Sequence, residues 1–261
     1  MDTIIQILAR ELGRSEAHVE NVVRLIDEGN TIPFIARYRK ELHGAMDDTA
    51  LRTLADRLQY LRNLDKRREE VKSAIEGQGK LTEELSAAID AAATLAEVED
   101  LYRPYKQKRR TRATVAREKG LEPLAELLFA QAADGPAPEE AAGAFIDPEK
   151  GVETAEDALQ GASDIIAERI SDDADIRKRL RELVWKKGYL VSAAAAKEPE
   201  DTVYRLYYAF RSPLNRVQGH QVLAVNRGER EGVLKVSVEM EREAALIPVR
   251  RAVLNPGAPA M

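Results

Sequence analysis

Apolar positions recur along most of this chain at helical spacing, and strand-like alternation appears only near its far end. Ile4, Ile5, Leu8 and Leu12 form a first stripe, which Gly13 stops. Ser15 is placed to cap a second helix with the stripe Val19, Val22, Val23 and Ile26, ended by Gly29. Two short helices joined by a tight turn predict a helix-turn-helix-like element, a shape that plain core packing also produces. Thr31 and Pro33 open a third short helix in TIPFIARYRKELHG, with Pro at the first helical position. Phe34 and Ile35 are expected to face inward there, with Arg37, Arg39 and Lys40 on the other side.

Asp47, Asp48 and Thr49 then start a pattern that stays helical to about Gly77. Its stripe is Leu51, Leu54, Leu58, Leu61, Leu64, Val71 and Ile75, interrupted by Arg68. At about 1.5 Å per residue this helix is on the order of 40 Å long. After a loop at Gly77 and Gly79, Thr82 caps a helix carrying Leu85 and Ile89. Thr94 and Glu97 have the capping-box spacing for a helix to about Leu101, which Pro104 breaks. Helix is expected to resume near Thr114 and to end at Gly120; Pro123 opens another with Leu124, Leu127 and Leu128. Residues 134–138, DGPAP, read as a linker and 147–151, DPEKG, as a turn. Thr154 caps a helix containing Leu159, Ile165, Ile166 and Ile170, and Ile176, Leu180, Leu183 and Val184 form the next, ended by Gly188. From about residue 189, YLVSAAA and EGVLKVSVEM alternate as strands do. Gly228 and Gly232 read as turn glycines, and NPGAPAM has the composition of an unstructured tail. The expected fold is mainly α: a multi-helix N-terminal region with one long helix, and a short α/β segment near the C-terminus.

Composition narrows the function. Without cysteine, disulfides and thiolate metal sites are excluded. No apolar run reaches about 18 residues, and MDTIIQILARELG lacks a basic leader, so a cytoplasmic protein without membrane contact is expected. His18, His43 and His220 lie far apart and in no ligand spacing, so no metal is expected. No nucleophile elbow, phosphate-binding glycine loop or dinucleotide fingerprint is present. No cofactor, catalytic residue or enzymatic activity is therefore expected.

Charge then singles out one stretch. Residues 103–119, RPYKQKRRTRATVAREK, hold eight Lys or Arg and one Glu, a net +7 in a chain of net −5. Five of the seven residues from Lys106 to Arg112 are basic. A loop of this kind suits phosphate contacts, because each cationic head that reaches an oxygen releases a condensed counterion. Arg103, Lys106, Lys108, Arg109, Arg110 and Arg112 are the candidate phosphate ligands. Tyr102 and Tyr105 stand beside them and could stack on unpaired bases. Arg37, Arg39 and Lys40 could add to a common cationic face; the reading composition favours is that Phe34 and Tyr38 anchor the short helix in the core while the arginines pair with carboxylates. No base-reading motif appears, so contacts would be to backbone. A solvated loop, a docking site for an acidic protein, or pairing with the chain's own acidic helices is the alternative reading.

Three stretches together resemble one family: NTIPFIARYRKELHGAMDDTALR at 30–52, EDLYRPYKQKRRTRATVAREKGLEPLA at 99–125 and HQVLAVNRGEREGVLKV at 220–236. They are similar to the N-terminal and early central regions of the bacterial Tex transcription accessory proteins. Pro33, Arg37, Tyr38, Arg39 and Lys40 match the first motif; Tyr102, Pro104, Tyr105, Lys106, Lys108, Arg109 and Arg110 match the second. The resemblance implies a helical N-terminal region, RNA and DNA binding, a role in transcription, and no catalysis. It divides the chain into an all-helical region at 1–195 and the start of the central region at 196–261. Members of that family continue into RNase H-like, helix-hairpin-helix and C-terminal OB-fold domains, which this sequence lacks, so either a fragment of a longer family member or a truncated one is expected. The competing reading is a helical scaffold that docks on RNA polymerase or ribosomal partners.

Overall fold

The computed structural model describes residues 3–107, 109–132, 135–196 and 201–255. Lys108, among the expected phosphate contacts, lies outside them, as does the tail from residue 256. The fold is mainly α, with thirteen α-helices and three strands among the described residues. The chain divides into two compact units, Met1–Tyr105 and Lys106–Met261. No described helix is long and apolar enough to cross a membrane.

The first unit is organised by one helix. Its elements are α1 (Ile4–Leu12), α2 (Glu16–Asp27), α3 (Ile32–Tyr38), α4 (Asp48–Glu76), α5 (Glu83–Ala91) and α6 (Leu95–Tyr102). Local signals set most boundaries. Thr3 and Gln6 form a capping box on α1, and Gly13 closes it at φ 62°. The Ser15 hydroxyl accepts from the backbone of His18 to start α2. Asp47 caps α4 by accepting from the Ala50 amide at 2.7 Å. At α6 the box is displaced by one residue: Thr94 accepts from Glu97, but the Glu97 carboxylate accepts from Ala93.

All seven apolar positions expected along α4 are buried. They serve two cores in succession. Leu51, Leu54, Leu58 and Leu61 join Leu8, Val19, Val22 and Ile35 from α1, α2 and α3. Leu64, Val71 and Ile75 join Ile89 and Val98 from α5 and α6. The spacing explains the division. Leu58, Leu61 and Leu64 follow one another at two steps of three. Each such step falls about 60° short of a full turn, so the stripe swings to a new side of the helix. Arg68 interrupts the second stripe for a reason: it donates to the Ala92 carbonyl at 2.8 Å, at the end of α5.

Two forks of charge fasten the first layer. Arg57 donates to both oxygens of Glu11 at 2.7 Å, joining α4 to α1. Arg62 grips Asp27 at 2.7 and 2.8 Å, joining α4 to α2. The Arg57 and Arg62 hydrogen bonds hold both carboxyls below their ordinary values.

The short helix α3 departs from expectation. Ile35 is fully buried, but Phe34 and Tyr38 are exposed at 36% and 56%. Phe34 therefore does not face inward, and neither ring anchors the helix in the core. In a helix of seven residues, Ile32, Ile35 and Ala36 occupy the inward side. That leaves positions 34, 37 and 38 on the opposite one.

The second unit begins with α7 (Arg112–Glu118), α8 (Glu122–Ala130), α9 (Pro138–Gly143) and α10 (Ala155–Asp172). Small residues let these helices close on one another: Ala113, Ala116, Ala142, Ala158 and Ala162 are buried with Leu121 and Leu124. Helix α11 (Ala174–Lys187) leads to the strands β1 (Tyr189–Ala194) and β2 (Ala209–Pro213). Helix α12 (Gly219–Arg230), β3 (Leu234–Glu239) and α13 (Arg242–Val253) follow. The sheet is antiparallel in the order β2-β1-β3, pairing Ser192 with Phe210 on one side and Val236 on the other. One of the two turn-glycine expectations is corrected here. Gly228 is not a turn residue but a buried position within α12, where an added Cβ would sit 2.6 Å from a Leu234 methyl. Gly232 supplies the turn, at φ 74°. Helix α13 follows no apolar pattern the sequence made plain and carries Pro248 inside it. The Gln131 amide holds its end, donating to the Val253 carbonyl at 2.8 Å and accepting from the Asn255 amide at 2.9 Å.

Leu58→Ala should destabilise the first unit by about 2–5 kcal/mol in urea unfolding, through lost burial and the cavity left behind. The folded carboxyls of Glu11 and Asp27 ionise more readily than the unfolded ones. Their contribution is therefore complete above the ordinary values of 4.5 and 3.8 and is lost as pH falls through the lower folded values. A Glu11→Gln, Asp27→Asn double variant should show a flatter decline of melting temperature below about pH 4 than the unaltered chain.

Candidate nucleic-acid interface

The stretch singled out by charge begins at the end of the first unit and continues into the second in sequence. Its first part continues α6 as a single turn of 3-10 helix, Arg103–Tyr105. Pro104 thus tightens the helix end instead of opening a loop. Tyr102 and Tyr105 are half-buried against the core of Leu64, Val71 and Ile89. The Arg67 guanidinium lies over the Tyr102 ring at 5.6 Å, and Gln78 donates to the Tyr105 carbonyl at 3.0 Å. These two rings are occupied with packing. Arg103 remains exposed.

In the second unit Lys106, Arg109, Arg110 and Arg112 are all exposed. The helix behind them starts earlier than the pattern suggested, at Arg112, because Thr111 caps it by accepting from the Thr114 amide at 3.0 Å. The same hydroxyl donates to Glu168 of α10 at 2.8 Å. Arg117 donates to the other Glu168 oxygen at 2.9 Å. One carboxylate therefore clamps both ends of α7. Arg110 pairs with Glu118 at 2.7 Å, and Arg112 approaches Asp164 at 3.6 Å while 86% of its side chain stays exposed. Arg109 has no carboxylate partner among the described residues. Exposed pairs such as these contribute about 0–1 kcal/mol, so a phosphate can displace the carboxylate at little cost.

Of the other candidate cations, Arg37 stands on α3 and Arg39 and Lys40 directly follow its end. All three are exposed, and none pairs with a carboxylate among the described residues. The two arginines meet aromatic faces instead. Arg37 lies 5.9 Å from the Tyr38 ring and Arg39 5.6 Å from the Phe34 ring, while the two rings stand 5.2 Å apart. This group and the Tyr102–Tyr105 group do not form one face. Helix α3 packs in the core that starts at Leu51, and Tyr105 is tied to Gln78 beyond the far end of α4. The two groups are thus on the order of 30 Å apart along that helix. Sequence reasoning passed over Phe34 and Tyr38 as surface groups. The available signal was their spacing with Arg37 at i, i+3 and i+4, which puts all three on one side.

Among the described residues no three His, Asp or Glu side chains gather as a metal-holding group. His43 is buried, and both of its ring nitrogens lack a hydrogen-bond partner.

Comparison with known proteins gives a consistent picture. A family model described as the Tex-like protein N-terminal domain matches residues 2–76, and one described as Tex central region-like matches residues 134–253. The basic stretch lies between the two matches. Protein tex of Bordetella pertussis is 46% identical over 92% of this chain and 30% of its own length. The transcriptional accessory protein Tex of Neisseria gonorrhoeae is 41% identical over 91% of this chain and 31% of its own. The human S1 RNA-binding domain-containing protein 1 is 32% identical over 91% of this chain and 24% of its own. The chain therefore spans about a third or less of the length of these curated relatives.

The clamp on α7 gives a direct test. Glu168→Ala removes a shared acceptor from Thr111 and Arg117, leaving Arg117 only its exposed pair with Glu122, and should lower the stability of the second unit by about 1–2 kcal/mol in urea unfolding.

Proposed function

From the membership of this chain in the Tex family of transcription accessory proteins, we propose that it contacts the phosphate backbone of a nucleic acid through its basic segment. Lys106, Lys108, Arg109, Arg110 and Arg112 are the ligands, with Arg103 preceding them in sequence. The observation that carries this reading is the exposed row of cationic heads in front of a clamped helix, α7. Fixing Thr111 and Arg117 to Glu168 anchors the base of the row while its heads reach into solvent. Glu118 and Asp164 hold Arg110 and Arg112 only by exposed pairs, so phosphate oxygens can replace them. The charge of the rest of the chain is negative. That favours a localised contact over coating of the polymer. The relatives' printed names, which mention transcription and an RNA-binding domain, support the same class of partner. In this reading the chain binds and positions; it performs no chemical step.

Docking on a protein is the second reading, and one observation favours it: Val203 and Leu206 of the second unit are 87% and 84% exposed. Salt separates the two. If about five cations engage duplex DNA, the logarithm of the affinity should fall against the logarithm of salt with a slope of about −4 to −5. A variant with Lys106, Lys108, Arg109 and Arg110 changed to Ala should lose most of that slope in an anisotropy titration at two salt concentrations. Unchanged binding by the variant would sink the reading.

A further inference from the structure

We propose that the outer side of α3 is a stacking platform for unpaired bases, so that the chain prefers single-stranded nucleic acid to duplex. This rests on the nucleic-acid reading above and deepens it by naming the form of the polymer. The first support is the exposure of two aromatic rings on one short helix. Phe34 and Tyr38 have no place in the core, because Ile35 fills it. Exposed rings 5.2 Å apart offer π surface to a flat, apolar partner.

The second support is what the cations do. Along α4 each arginine is neutralised: Arg52 by Asp48, Arg57 by Glu11, Arg62 by Asp27, Arg67 by Glu70 and Glu99, and Arg68 by Asp65. Around α3 the pattern is reversed. Among the described residues Arg37, Arg39 and Lys40 have no carboxylate partner, although Glu41 is next in sequence. Both guanidiniums, those of Arg37 and Arg39, are held against the rings themselves. Rings interleaved with unneutralised cations match a base and the phosphates on either side of it. The same surface is poorly matched to duplex, whose bases are stacked on each other and shielded. It is also poorly matched to an acidic protein, which would use the cations and leave the rings idle.

The 3-10 turn at the other end of the unit is less suited to this function, since Tyr102 and Tyr105 are half-buried against the core. The two surfaces therefore divide the work. The basic segment meets phosphates of either form, and α3 selects the form with free bases.

The test uses the 261-residue chain and a single strand of about twelve nucleotides carrying one 2-aminopurine, with a duplex of the same length for comparison. Stacking on a protein ring changes 2-aminopurine fluorescence, whereas a phosphate contact leaves it as it was. Binding of the unaltered chain should change that fluorescence. The variant Phe34→Leu, Tyr38→Leu keeps the apolar volume and removes the rings. It should bind the single strand about tenfold more weakly, lose the fluorescence change, and bind duplex as before. Should that variant melt early, Arg37→Gln with Arg39→Gln leaves both rings in place and should reduce the single-strand salt slope by about 1.4.

Equal binding of single strand by the leucine variant and the unaltered chain overturns the platform and leaves the basic segment standing. So does a fluorescence that does not change on binding. If the alanine variant of Lys106, Lys108, Arg109 and Arg110 binds unchanged while the leucine variant does not, the basic segment falls and the platform stands. Failure of the unaltered chain to bind either form overturns both, and capture of an acidic protein through α3 instead would show what the surface serves.

Discussion

Helix α4 buries two apolar stripes in succession, and the swing between Leu61 and Leu64 decides where the other helices of the first unit can pack. A stripe that kept one direction would offer a single long seam, as in a coiled coil. Two steps of three end that seam halfway. Helices α1, α2 and α3 take the first half, and α5 and α6 take the second. The polar groups follow the same plan. Arg57 and Arg62 bind the first group of helices, while Arg68 and Lys72 reach Ala92 and Asp90 at the end of α5.

Arginine has three different uses in this chain, and the contrast is informative. On α4 it is a fastener, paired in fixed geometry with carboxylates of neighbouring helices. On α7 it shares a carboxylate with a threonine and so holds a surface segment to α10. On α3 it rests against aromatic rings. A guanidinium is weakly hydrated and flat, which allows all three. Only the third leaves its charge uncompensated by a neighbour. Counting charge along the sequence cannot separate these uses, because Arg57 and Arg37 contribute equally to the total.

Much of the fold was legible. The seven buried positions of α4, the caps at Ser15, Asp47, Thr82 and Thr154, and the stop at Gly13 follow from local chemistry that the sequence carries directly. The failures share a cause: they depend on partners distant in sequence. Phe34 and Ile35 are both apolar neighbours on a short helix, and only the packing of α1, α2 and α4 decides that Ile35 goes inside. Tyr102 and Tyr105 look like free rings beside cations until the core of Leu64 and Ile89 is assembled. Gly228 resembles a turn residue in RGEREG, but its role is to let Leu234 and Tyr204 approach α12. Of the candidate interface, the cations at 103–112 were legible from charge alone. The carboxylates that temper them, Glu118, Asp164 and Glu168, were not, because two of them come from a helix some fifty residues away.

Tyr60 sits where the two stripes of α4 meet, and its ring packs against both cores. Arg57 lies over it at 4.9 Å, and its hydroxyl accepts from the Leu95 amide at 3.2 Å, at the start of α6. One side chain is thus a shared member of two assemblies that otherwise have separate residues. The consequence concerns cooperativity. Loosening either core withdraws a neighbour from Tyr60 and so weakens the other, which couples the two halves into one folding event. A long helix with two independent ends would be free to fray from each; here the joint in the middle makes the ends answer to each other.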